Sequence, residues 1–174
     1  MLALLAAEVS PSPKPCKGAP VYRSQYADRR LGFSIRVPED KVGCGPVVGG
    51  EGHGVSITLA EAPRASMWAT AMPTDGRSID AILAEFLENW ESDAKPTKKT
   101  VSSAVLGEIP AKQLVVHWIS TESYPARVDR CIVATANVGG VETAFVIGFI
   151  APEAKVRGYS SIFDAFVASW RRLE

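Results

Sequence analysis

Histidine and cysteine are scarce in this chain of 174 residues, which has two of the first and three of the second. That scarcity narrows the chemistry at once. A structural zinc site takes four Cys, His or carboxylate ligands, and neither His53 nor His117 stands in a ligand spacing. The G-x-S-x-G turn of serine hydrolases is absent, and no glycine loop ends in Lys-Ser/Thr as a phosphate loop does. An excess of charge is missing too, because nineteen basic residues cancel nineteen acidic ones. Nucleic-acid binders carry a basic excess or stripe, whereas the densest basic spots here are the pairs Lys98-Lys99 and Arg171-Arg172, which read as solvated element ends. No apolar run approaches the eighteen or so residues of a membrane-spanning helix. Catalytic residues, metal, cofactor and nucleic acid are therefore all left unassigned.

What is present is an ordinary globular balance, 47% hydrophobic and 22% charged, enough for one domain with a core. Residues 1–20 read as a lead-in and 21–174 as the single domain. Met1-Leu2-Ala3-Leu4-Leu5-Ala6-Ala7 resembles the back half of a signal peptide whose basic region lies upstream, the alternative being a frayed apolar tail. Pro11, Pro13, Pro15 and Pro20 then predict an extended stretch. Cys16 comes just after the Pro11–Pro15 run and Cys44 lies in a glycine-rich loop, so the two form a candidate disulfide that closes about thirty residues. The alternative is unpaired thiols in a reducing compartment. Cys131, inside a strand pattern, is a small buried hydrophobe.

Periodicity supplies the fold class. Phe33, Ile35 and Val37 alternate with polar residues, as do Val55, Ile57 and Leu59, which predicts strands with one buried face. Ile79, Ile82, Leu83, Phe86, Leu87 and Trp90 form one helical stripe with Ser78 as N-cap; Ile162, Phe163, Phe166, Val167 and Trp170 form a second. Arg171 and Arg172 follow as helix-end cations. Residues 99–150 read as a four-strand meander with a hairpin turn at Asn137-Val138-Gly139-Gly140. Val141–Ile150 is apolar at almost every position, which predicts a central strand covered on both faces. The expected architecture is α+β: an antiparallel six- to seven-stranded sheet flanked by two helices.

Residues 61–77 show no clear period and read as a long connection bounded by Pro63 and Pro73. Large apolar side chains in such a loop suit partner contact, so Met67, Trp68 and Met72, with Arg64 on the rim, are candidate partner-binding residues. The alternative is that Trp68 folds back as a lid on the sheet. Glu51 and His53, in the glycine-rich loop 43–54, are candidates for a ligand-closing loop. His117 shares a strand face with Val115 and Ile119 and reads as a packed histidine.

The order of elements, with Tyr26-Ala27-Asp28 through Leu31-Gly32-Phe33-Ser34-Ile35-Arg36-Val37-Pro38 and the closing Ser161, Phe163 and Ser169-Trp170-Arg171, resembles the Mog1/PsbP-like family of α-β-α sandwiches over residues 21–173. The resemblance implies a non-enzymatic accessory or protein-binding domain. With the leader-like start and the cysteines, it points to a periplasmic or secreted place and an unnamed protein partner. The alternative is a small hydrolase or ligand-binding enzyme using His53 or His117.

Overall fold

The structure, a computed structural model, describes residues 16, 19–45, 53–61, 64–91, 95–121 and 125–173. Strands β1 (Val21–Tyr22), β2 (Gln25–Asp28), β3 (Phe33–Arg36), β4 (Gly43–Cys44), β5 (His53–Ala60) and β6 (Ala65–Pro73) precede helix α1 (Ile79–Glu91). Strands β7 (Pro96–Leu106), β8 (Ile109–Trp118), β9 (Arg127–Val138) and β10 (Val141–Pro152) follow, and helix α2 (Val156–Ala168) and β11 (Arg171–Arg172) close the chain. The main sheet runs β1-β4-β5-β6-β10-β9-β8-β7, antiparallel throughout, and a small sheet runs β11-β3-β2. The sheet thus has eight strands among the described residues rather than six or seven. The strands not expected are β6, read in the sequence as loop, and the two-residue β4, whereas β3, expected in the main sheet, lies in the small one.

β10 lies between β6 and β9, and every residue from Thr143 to Phe149 is buried, as its nearly continuous apolar run predicts. Its two faces meet different layers. Phe145, Ile147 and Phe149 point into a core with Phe33 and Ile35 of the small sheet, Phe163 and Phe166 of α2, and Trp170 just after that helix. Ala144 and Val146 point the other way, into a second core with Ile82 and Leu83 of α1 and with Leu114, Val116, Trp118, Cys131 and Val133. Burying each large side chain contributes about 1.5–3 kcal/mol, so these two stripes outweigh any cap or surface ion pair.

Turn chemistry sets the register of the meander. Gly139 and Gly140 both have positive φ (58° and 90°), and Gly140 N–H donates to Asn137 Oδ1 at 2.8 Å. A two-residue hairpin of the primed type needs that conformation, and it pairs Val141 with Val138. Gly107 (φ 61°) does the same between Leu106 and Ile109. Ser78 Oγ accepts from Ala81 N at 3.2 Å, capping α1 as expected, and Lys112 Nζ lies 2.6 Å from the Asp80 carboxylate, tying the helix to β8.

The C-terminal arginines depart from expectation. Helix α2 stops at Ala168, and Arg171 and Arg172 form β11 against Ser34 and Phe33. Arg171 Nη1 still donates to Ala168 O at 2.7 Å, so it serves a helix-end carbonyl from within a strand. The small sheet is locked to the large one by an aromatic chain, with ring centroids 5.3 Å apart for Tyr26–Phe33, 6.0 Å for Phe33–Phe145 and 5.2 Å for Phe145–Trp170. Cys16 and Cys44 are joined by a disulfide, Cα atoms 5.5 Å apart, which fastens the segment before β1 to β4.

Candidate functional site

Strand alternation redistributes the residues that the sequence places in one loop. Residues 65–73 form β6, with Ala65, Met67, Ala69 and Ala71 buried and the residues between them partly exposed. Met67 is fully buried in the α2-side core and is not available to a partner, which corrects its reading as a loop contact. Trp68 and Met72 lie on the opposite face, Met72 packed against the α1-side core, and Arg64 is exposed just before the strand. A period of two sends neighbours to opposite sides, so the four residues cannot form one patch.

The same register builds a different surface around Trp68. One row across the sheet runs Ser56, Trp68, Gly148, Cys131, Leu114; the next runs Thr58, Ser66, Ile150, Asp129, Val116. Helix α1 covers the Leu114, Val116, Cys131 and Val133 end of these rows. Trp68 belongs to neither core; it is half-buried, with its ring lying on Gly148. A Cβ at Gly148 would collide with Trp68 Cζ2, Cε2 and Cη2, so glycine there makes room for the flat indole. Thr58 is exposed, and Ser56, Ser66, Thr70 and Ile150 are partly exposed. The outcome is an aromatic floor bordered by hydroxyls, an open half-face beside α1. Sequence reasoning missed Ser56, Thr58, Ser66, Gly148 and Ile150; the alternation of Ala65, Met67, Ala69 and Ala71 with Ser66, Trp68, Thr70 and Met72 is the signal that finds them.

Asp129 sits where this half-face passes under α1. It is fully buried, and its Oδ2 accepts from Arg127 Nε at 3.2 Å. Arg127 in turn stacks over the Trp118 ring, 5.2 Å from its centroid. The Trp118 indole approaches the same carboxylate outside hydrogen-bond geometry, so Trp118 Nε1 and Asp129 Oδ1 are both buried without a hydrogen bond. Burial pushes the Asp129 carboxyl up to about 6, against the pull of Arg127 in the other direction. Burial likewise pushes the Cys131 thiol up, leaving it inert.

The remaining candidates are dispersed. His53 is exposed at the start of β5, and Glu51 lies outside the described residues, as do residues 1–15 of the leader-like start and Pro63. His117, read as packed, is instead partly exposed on the α2-side face, Nδ1 3.3 Å from Glu153 Oε1. Strands β5 and β8 are separated by β6, β10 and β9, four strand spacings or roughly 19 Å, so the two histidines do not share a site. No group of three or more His, Cys, Asp or Glu side chains converges among the described residues, and no helix there is long and apolar enough to cross a membrane. Between α2 and the β7–β8 hairpin lies a shallow, open concavity of about 400 Å3, lined by Val105, Ile132, Val167 and Arg171 among others. Its Asp164 carboxylate accepts from Arg130 at 3.2 Å.

Two solved structures are similar over nearly the whole chain. LpqN, involved in cell envelope biogenesis of Mycobacterium tuberculosis, aligns with a TM-score of 0.64 at 12% identity, covering 91% of this chain and 95% of its own. The cyanobacterial PsbP (CyanoP) of Synechocystis aligns with a TM-score of 0.59, also at 12% identity, covering 87% and 94%. No family model matches the sequence, and no curated protein matches it. At such identities the likeness is one of fold.

Proposed function

The chain has the Mog1/PsbP-like fold, and on that premise we propose that it is an extracytoplasmic accessory domain that binds a protein partner across the half-face around Trp68. The observation that carries this reading is the position of the Trp68 indole, seated on Gly148, partly exposed, and outside both cores. A partly exposed tryptophan with neighbouring hydroxyls suits protein recognition, because it offers a large apolar area at low entropic cost beside adaptable hydrogen-bonding groups. The Cys16–Cys44 disulfide supports an oxidising compartment, since such bonds persist mainly outside the cytoplasm. Envelope placement draws further support from LpqN and from the leader-like opening residues.

The test is site-specific photo-crosslinking in producing cells, with the reactive residue placed at Thr58 or Ser66 on the half-face and at Glu39 as a distant control. A discrete adduct with one envelope protein from Thr58 and Ser66, absent from Glu39, is the expected result. Adducts that do not differ between the three positions, or none at all, would remove the reading.

A further inference from the structure

The main sheet ends very differently at its two borders. One border tapers through the two-residue strands β4 and β1, whereas the other is β7, eleven residues long and, among the described residues, paired on one side only, to β8. A bare edge of that length presents a row of backbone N–H and C=O groups ready to pair with another strand. The usual safeguards are confined to one end of it: Pro96, a register shift between Pro96 and Lys98, and Lys98-Lys99. From Thr100 to Leu106 the edge carries no charge, and Val101 and Val105 are 53% and 62% exposed on it. Both valines lie on one face, opposite Leu114 and Pro110 of β8.

We propose that β7 pairs with β7 of a second copy of this chain, antiparallel and centred on Ser103, to give a dimer with one continuous sheet. The sequence of the edge is complementary to itself in that register. Val101 of one copy meets Val105 of the other, and Val105 meets Val101, so the exposed valines cover each other on the same face. Thr100 meets Leu106 and Ser102 meets Ala104. Lys98 falls opposite Glu108 of the second copy, just past the end of β7. Within one chain Lys98 and Glu108 are both exposed, and neither forms an ion pair among the described residues. The two lysines of each copy therefore meet a carboxylate and a glycine instead of each other. A formal net charge of zero also leaves no long-range repulsion between copies. This pairing uses none of the Trp68 half-face, so the two proposals stand or fall separately.

The experiment is multi-angle light scattering of the full chain from 1 to 200 µM, with circular dichroism run on every variant. Wild type is expected to show a mass twice that of the chain in the upper range, and the double variant Val101→Lys/Val105→Lys to stay at the chain mass with an unchanged spectrum. A third protein, Ser103→Cys, places a thiol on the two-fold axis. It is expected to form an intermolecular disulfide under mild oxidation, since Cys131 is buried and Cys16 and Cys44 are bonded to each other. Ala154→Cys, on the exposed turn before α2, serves as a control that does not. Monomer throughout would overturn the proposal, and so would a dimer that survives the double lysine variant or leaves Ser103→Cys uncrosslinked. Should the lysine variant unfold, the Ser103→Cys result decides alone.

Discussion

Replacing Asp129 by asparagine changes the pH dependence of stability in a direction fixed by its surroundings. The carboxyl is fully buried, and burial raises it from the ordinary 3.8 to about 6 in the folded protein, although Arg127 Nε lies only 3.2 Å from Oδ2. A group with a raised folded value holds its proton more tightly when folded than when unfolded. Between about pH 4 and pH 6 the folded state therefore binds more protons, and stability falls as pH rises. Each unit of difference corresponds to about 1.4 kcal/mol, so the full loss approaches roughly 3 kcal/mol by pH 7. Asparagine at 129 cannot ionise, and subtracting its stability from that of wild type cancels every other titrating group. The assay is guanidinium unfolding of both proteins at pH 4, 5, 6, 7 and 8. The variant should gain on wild type by up to roughly 3 kcal/mol from the lowest to the highest pH, with the change centred near 5. Parallel curves would refute the reasoning. Wild type gaining on the variant as pH rises would show that the Arg127 ion pair outweighs burial.

Two further changes probe the packing and the staple. Gly148→Ala puts a methyl group into the Trp68 ring, so it should cost about 1–3 kcal/mol and make tryptophan emission more quenchable by acrylamide, as the indole swings into solvent. Unchanged quenching and stability would mean that the ring does not rest on that backbone. Cys16→Ala with Cys44→Ala frees a loop with sequence separation 28, and on chain entropy the loss is about 3–4 kcal/mol, seen as a lower denaturant midpoint. Reductant should bring wild type to the same midpoint and leave the double variant unmoved.

The parts legible in the sequence were those in which one physical signal dominates. The stripes of α1 and α2 are wide and the gain from burying them is large, so both helices and their inward residues followed from period alone. The nearly continuous apolar run of β10 required cover on two faces, and α1 and α2 provide it. Strand β6 was hidden because its inward residues are mostly alanine; Ala65, Ala69 and Ala71 carry little hydrophobic contrast, and Pro63 and Pro73 suggested a loop. With β6 hidden, Met67 and Trp68 looked like neighbours when alternation separates them across the sheet. Arg171 and Arg172 misled for another reason: pairing to Ser34 and Phe33 is a contact across the chain that no local propensity encodes. The Gly148 cradle is of the same kind, visible only once the register sets Trp68 beside it.

Whether Trp68 serves recognition rather than the core is decided by the yield of the Ser66 photo-adduct from Trp68→Ala protein. The adduct is expected to fall at least tenfold while the thermal midpoint stays within a few degrees of wild type, because the ring lies outside both cores. An adduct of undiminished yield, or a loss that merely tracks a collapsed midpoint, would contradict it.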